Sequence, residues 1–191
     1  MQGNTKLRTL CLSNNQFSSD SAAKLLRGFA ASENHVIEHL SMHALDLNDV
    51  AATAMAELVS ATKTLKAIEL NSNIIGSPGA IELGKALLHN TSVTEVHLQN
   101  NEITNTGAES LARAMGKHGI ITKLSLSQNA IHGDDSVPNA MSSAGKFAVL
   151  EEFTLTQKKN RVIEFDDDTA RKTVPMVPNK PSMPAPPPPR T

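Results

Sequence analysis

The chain has 191 residues, a formal net charge of −1, and 3% aromatic residues with neither Trp nor Tyr. Such a balance offers no field for nucleic acid or an acidic membrane, and no apolar run approaches the roughly 20 residues that a bilayer span requires. The N-terminus, MQGNTKLRTL, has no apolar stretch of signal-peptide length, and with Cys11 as the only cysteine no internal disulfide can form. These features favour a soluble cytoplasmic protein whose core is built from Leu, Ile, Val, Met and Ala.

The first stretch, Gly3-Asn4-Thr5-Lys6-Leu7, matches a later one, His89-Asn90-Thr91-Ser92-Val93. Both read as a link from helix to strand, so the chain starts at a seam between repeating units. Terminal repeats normally carry a polar cap. The expectation is therefore a fragment of a longer protein, or a first strand covered by a partner or a second copy.

After the link comes a phrase, L-x-L-x-x-N-x-[IF], at Leu10 to Phe17. It returns at Ile68 to Ile75, Val96 to Ile103 and Leu124 to Ile131, with a degraded copy from Leu40 to Leu47 and a last one from Phe153. Leading apolar residues stand three places earlier, at Leu7, Ile37, Leu65, Val93, Ile121 and Leu150, in steps of 30, 28, 28, 28 and 29. Six copies at nearly one period describe an array. In each phrase apolar and polar residues alternate, the period of a strand with one buried face. Leu124 and Leu126 are expected to point inward while Lys123, Ser125 and Ser127 point outward.

The Asn that follows meets a need. A turn leaving a strand strands backbone N–H and C=O groups, and a buried amide carries both donors and an acceptor. Asn73, Asn101 and Asn129 are expected to stack as a ladder. Asn15 would join them, but Leu45 replaces the Asn of the second repeat, where a locally altered turn is expected. The second half of each repeat reads as a helix with one apolar face: Ala22, Ala23, Leu25, Leu26 and Phe29; Ala51, Ala54, Met55, Leu58 and Val59; Ala80, Leu83, Ala86 and Leu87; Ala108, Leu111, Ala112 and Met115. Asp20, Asp49, Ser77 and Thr106 stand at the starts as N-caps.

Repeat five is irregular at Asp134-Asp-Ser-Val-Pro-Asn139, before a helical stretch at residues 140–147. Repeat six breaks at Lys158-Lys159-Asn160-Arg161, and Val162-Ile163-Glu164-Phe165 reads as a closing strand. Residues 1–165 thus form the repeat domain, and residues 166–191 an acidic then proline-rich disordered tail. Pro184, Pro186, Pro187, Pro188 and Pro189 favour an extended, solvated polyproline II segment. It reads as a linker, or as a ligand for a profilin, SH3 or EVH1-type groove.

No phosphate-binding or dinucleotide-binding glycine loop, no H-E-x-x-H and no nucleophile elbow is present. No catalytic residue, cofactor or metal is assigned, and the chain is expected not to be an enzyme. Asp134-Asp135 and Asp166 to Asp168 read as solvated loop charge, and Cys11 as a strand residue rather than a reactive thiol. What remains is the outward row of the strands. Its candidate partner-binding residues are His39, His43, Glu69, Asn71, Glu95, His97, Gln99, Lys123 and Ser125, mixed in charge and without the Trp, Tyr or Arg typical of hot spots.

The pattern N-x-[IL]-x-x-x-G-A-x-x-L-A-x-A-L, as in Ile75-Gly-Ser-Pro-Gly79-Ala80-Ile-Glu-Leu83 and Ile103-Thr-Asn-Thr-Gly107-Ala108-Glu-Ser-Leu111, resembles the ribonuclease-inhibitor type of leucine-rich repeat. The resemblance covers about residues 4 to 156. It implies an α/β solenoid, a curved right-handed superhelix with a parallel sheet on its concave side and helices on its convex side. A weaker resemblance is to the tropomodulin and leiomodin family. It rests on His39-Leu-Ser-Met42, Asn48-Asp49-Val-Ala51, Ala54-Met-Ala-Glu57-Leu58 and Thr64-Leu-Lys66, on the turn Asn missing from this repeat, and on a proline-rich segment after the array. That resemblance implies an actin pointed-end regulator, a protein-binding scaffold with actin or an actin-assembly factor as partner and a cytoskeletal location. Other leucine-rich-repeat proteins compete with it: the CARMIL group, Ran-type GTPase activators, and the repeat region of nucleotide-binding innate immune sensors.

Overall fold

Each of the first five copies of the phrase forms a three-residue strand and the sixth a five-residue one, and the apolar-faced stretches that follow the first four form helices. In the computed structural model, which describes residues 6–32, 36–118, 120–131, 152–156, 162–164 and 172–173, the order begins β1 (Thr9–Cys11), α1 (Ser19–Ala30), β2 (His39–Ser41), α2 (Asp49–Ala61). It continues with β3 (Ala67–Glu69), α3 (Ser77–Leu87), β4 (Glu95–His97), α4 (Asn105–His118) and β5 (Lys123–Ser125). Strands β6 (Glu152–Thr156), β7 (Val162–Glu164) and β8 (Lys172–Thr173) complete one sheet in sequence order.

Strands β1 to β6 are parallel. Thr9 pairs with His39, then Ala67, Glu95, Lys123 and Glu152 follow in register. Those steps are 30, 28, 28, 28 and 29, the spacing read from the sequence. The expected closing strand is β7, which reverses direction against β6. Strand β8 pairs antiparallel with β7 and lies within the stretch that composition assigns to the tail. The expected repeat-five helix at 140–147, the irregular segment at 134–139, the break at 158–161, the acidic triplet at 166–168 and the prolines at 184–189 lie outside the described residues.

Each helix packs on the next, α1 on α2, α2 on α3 and α3 on α4. Strands sit about 4.8 Å apart while packed helices need about 8–10 Å. A ladder of such pairs must curve with its strands inside. The core lies between the two layers: Leu40, Met42, Ile68, Leu70, Val96, Leu98, Leu124 and Leu126 from the strands meet Met55, Leu83, Leu111 and Met115 from the helices. Small residues let the helices approach. A Cβ on Gly79 would stand 2.7 Å from the Cβ of Ala52, and one on Gly107 would stand 3.0 Å from the Cβ of Ala80.

The expected ladder forms. Asn73 Nδ2 donates to Met42 O and Leu70 O, each at 3.0 Å, while its Oδ1 accepts from Leu45 N and Leu47 N. Asn101 links Leu70 O, Leu98 O and Ile75 N, and Asn129 links Leu98 O, Leu126 O and Ile103 N. Each amide therefore ties its own repeat to the one before. Among the described residues Asn15 bonds Leu12 O and Ser13 O of its own turn alone, and Leu45 is a buried apolar plug.

The residue before the ladder position is left-handed in all five turns: Asn14, Ala44, Ser72, Asn100 and Gln128, with φ between 54° and 60°. The turn with Leu45 has a second such residue, Asp46 at φ 51°, which is the local alteration the missing Asn foretold.

The expected caps are displaced upstream. Ser18 caps α1 by accepting from Ser21 N, and Asn48 caps α2 by accepting from Val50 N. Gly76 stands at the N-cap of α3 with no side-chain bond, and α4 already starts at Asn105, so Thr106 lies inside it. Asp20 sits in the first turn of its helix. Asp49 reaches across the seam instead: its Oδ1 accepts from Gly76 N at 2.8 Å and Gly79 N at 3.0 Å, capping the next helix. An anion there also meets the positive end of the α3 dipole.

Candidate partner-binding face

Side chains alternate along a strand, so odd-numbered positions of β1 to β5 form rows across the sheet. One row runs Thr9, His39, Ala67, Glu95, Lys123; the next runs Cys11, Ser41, Glu69, His97, Ser125. The turns extend these with Ser13, His43, Asn71, Gln99 and Ser127. The structure therefore brings His39, His43, Glu69, Asn71, Glu95, His97, Gln99 and Lys123 onto one face, with His39 exposed and the others half-buried.

Ser125 departs from that expectation: it is 1% exposed, and its Oγ makes no hydrogen bond among the described residues. Ala67 is likewise buried. Their short side chains stand between longer neighbours on strands only about 4.8 Å away, His97 beside Ser125, and His39 and Glu95 beside Ala67. Residue size, which strand periodicity ignores, decides accessibility here.

Hydrogen bonds cross the rows. Ser13 Oγ lies 2.8 Å from Ser41 Oγ, and Ser41 Oγ donates to Glu69 Oε2 at 2.6 Å. His43 N donates to Ser13 Oγ, Gln99 N donates to Asn71 Oδ1, and His97 Nε2 lies 3.4 Å from Glu95 Oε2. This lacing fixes several polar side chains before any partner arrives, which lowers the ordering cost of binding. The exposed Cys11 thiol has its pKa lowered, first by the backbone of Ser13, then by the hydroxyls of Ser13 and Ser41; burial and the Glu69 charge oppose this. Among the described residues, no group of three His, Cys, Asp or Glu is placed to hold a metal ion. No helix among them is long and apolar enough to cross a membrane.

The helical side offers a second, shallower feature that periodicity did not reveal. A groove of about 250 Å³ runs between α2 and α3, lined by Thr53, Glu57, Ser60, Glu82, Lys85 and His89 among others. Its carboxylates are engaged: Arg27 donates through Nε and Nη2 to Glu57, and Lys85 Nζ lies 2.7 Å from Glu82 Oε1. Glu57 in turn raises the pKa of Arg27, first through those hydrogen bonds and then by its charge.

A family model, the "TMOD/LMOD Leucine-rich domain", matches residues 1–145, which hold the repeats from β1 to the turn after β5. The chain belongs to the tropomodulin/leiomodin leucine-rich-domain family. Leiomodin-2 of Rattus norvegicus is 33% identical over 67 residues, and that of Mus musculus 31% over 67. These matches span 35% of this chain and 12% of each leiomodin-2. Among solved structures, a chain titled "Leiomodin-1 Actin-Binding Site 2 (ABS2)" superposes with a TM-score of 0.58 at 19% identity, covering 74% of this chain and 82% of that one. The tropomodulin C-terminal domain of Caenorhabditis elegans gives a TM-score of 0.60 at 18% identity, covering 74% and 83%. At these identities the two structures show a shared fold. The tropomodulin/leiomodin domain is thus the specific form of the ribonuclease-inhibitor-type repeat read from the sequence.

Proposed function

We propose that this tropomodulin/leiomodin-type domain is a non-enzymatic actin-binding module that regulates filament assembly in the cytoplasm. The observation that carries the reading is the family match over residues 1–145. It is supported by the likeness of the fold to a leiomodin segment named for actin binding. The laced strand face is the proposed contact surface, through His39, His43, Glu69, Asn71, Glu95, His97, Gln99 and Lys123. Residues 1–165 are proposed as the folded repeat unit. Residues 166–191 are proposed as the tail, whose Pro184 and Pro186 to Pro189 would engage a profilin, SH3 or EVH1-type groove.

Co-sedimentation with filamentous actin and pointed-end elongation, with and without residues 174–191, test this. Slowed elongation or accelerated nucleation is expected from both forms, and profilin or SH3 binding from the full chain alone. Substituting Glu69, Glu95 and Lys123 together is expected to weaken actin binding while leaving the far-ultraviolet spectrum intact. Unchanged filament growth with the full chain would sink the actin reading, and unchanged affinity of the triple variant would move the contact off the strand face.

A further inference from the structure

In register across the sheet, Glu69 of β3 stands beside His97 of β4, and His97 stands beside Ser125 of β5. Glu95 lies two residues before His97 on the same strand, with Ala67 on one side and Lys123 on the other. Strand spacing and rise put Glu69 and Glu95 on a diagonal of about 8 Å, with His97 at the corner between them. The ring is turned to Glu95, its Nε2 3.4 Å from Oε2. Glu69 is held from its other side by Ser41, whose Oγ donates to Oε2 at 2.6 Å. Among the described residues, Oε1 of each carboxylate accepts no hydrogen bond.

Ser125 is the odd member of this row. The residue is 1% exposed, and its Oγ is enclosed with no hydrogen bond among the described residues. A buried hydroxyl without a partner costs free energy. A neutral imidazole can both donate and accept, and His97 is only one strand away, about 4.8 Å, yet its ring faces Glu95. The row therefore has a second arrangement, in which His97 leaves Glu95, bonds Ser125 and opens the corner between the two carboxylates. That arrangement satisfies the hydroxyl and leaves Glu95 in need of a cation.

We propose that Glu69, Glu95, His97 and Ser125 form an arginine-recognition site within the strand face: a guanidinium of the docked partner enters between the two carboxylates as His97 turns to Ser125. The inference rests on the strand face being the contact surface, and it names the partner group that surface takes. A guanidinium is always charged and carries five donors in a flat fork, enough to bond Glu69 and Glu95 together, whereas an ammonium is a compact point charge. His97 gives the site a pH dependence of fixed sign. The charged groups facing it are Glu69 from β3, Glu95 from its own strand and Lys123 from β5, with His39 and His43 one repeat beyond Glu69. Histidines gain a proton as the pH falls from about 8 to about 5. An imidazolium at the corner then serves as the carboxylates' own cation, and His39 and His43 add repulsion, so arginine binding weakens as the pH falls.

The probe is the peptide acetyl-RGRGRG-amide, titrated at low salt against the full isotope-labelled chain while amide shifts are followed. Saturable shifts at Glu69, Glu95, His97 and Ser125 are expected. The same peptide with citrulline in place of arginine gives none, and the lysine version binds about threefold or more weakly. Glu95→Gln weakens binding about tenfold or more, and Ser125→Ala about threefold. Glu57→Gln, on the helical side, leaves it unchanged. Binding weakens about fivefold between about pH 7.5 and pH 5.5, and His97→Gln removes most of that dependence. Circular dichroism establishes that each variant is folded. Shifts no larger at this row than at Glu57, Glu82 and Glu109 overturn the proposal, as does equal binding of the citrulline peptide or by Glu95→Gln, or an affinity that does not fall with pH. Slowed filament growth without peptide shifts sinks this inference alone; peptide binding without any effect on filaments sinks the actin reading alone.

Discussion

The junction between repeats three and four and the junction between repeats one and two have the same strand pairing but differ in one side chain. At the former, Asn101 satisfies carbonyls on both sides of the seam and one N–H across it. At the latter, Leu45 fills the equivalent place with carbon and bonds nothing backward, while Asn73 of the next repeat serves its N–H. The comparison separates two ways to close a turn. An amide closes it by hydrogen bonding and couples neighbours; an apolar plug closes it by burial and leaves coupling to the strands and helices. The plugged turn also carries the extra left-handed residue, Asp46, and positive φ costs an L-residue roughly 1–2 kcal/mol.

The sharpest break in this comparison is Asn101→Ala. It leaves several buried backbone groups unpaired, at about 1–3 kcal/mol each, so a loss of about 3–5 kcal/mol in urea-monitored stability is expected. Next is Asp49→Ala, which uncaps α3 from the neighbouring repeat. About 2 kcal/mol is expected to be lost, with hydrogen exchange accelerated first at Gly76 and Gly79 rather than in α2. Asn15→Ala removes only bonds within its own exposed turn and is expected to cost under about 1 kcal/mol. A cost equal to that of Asn101→Ala would erase the distinction between an amide that staples two repeats and one that serves its own turn. Smallest is Arg27→Ala, which breaks an ion pair with both partners about half exposed; a slight downward shift of the melting curve, shrinking further in salt, is expected.

The strand face has its own test. The thiolate is the form of Cys11 that alkylates, and its pKa is lowered chiefly by Ser13 and opposed by Glu69. Ser13→Ala is expected to move the pH profile of alkylation upward and slow the reaction at neutral pH. Glu69→Gln is expected to move the profile downward. A profile unmoved by either variant would mean that the lacing of the face does not reach the thiol.

The period was legible because one rule, apolar residues two apart and then an amide, is repeated almost unchanged. The strand registers reproduce its steps residue for residue. The ladder and its gap at Leu45 were legible for the same reason. The left-handed position was not, because Asn, Ala, Ser and Gln all occupy it and the backbone there is imposed by the stacked turn rather than by residue type. The caps lie upstream of where the apolar pattern starts each helix, since Ser18 and Asn48 precede that pattern. The reach of Asp49 into the next repeat spans 27 residues to Gly76, a distance no local rule covers. The burial of Ser125 was not legible, because alternation reports direction and not depth.

The backward reach of each ladder amide gives the array a mechanical polarity. Tension applied along the solenoid loads every seam alike, yet among the described seams from repeat one to repeat five only the first lacks an amide staple to the repeat before it. That seam is therefore the weak link, and the step of about 30 residues across it would release about 100 Å of extended chain before the stapled seams yield. A force-extension trace would show that release as the earliest step, and placing it last would reverse the polarity.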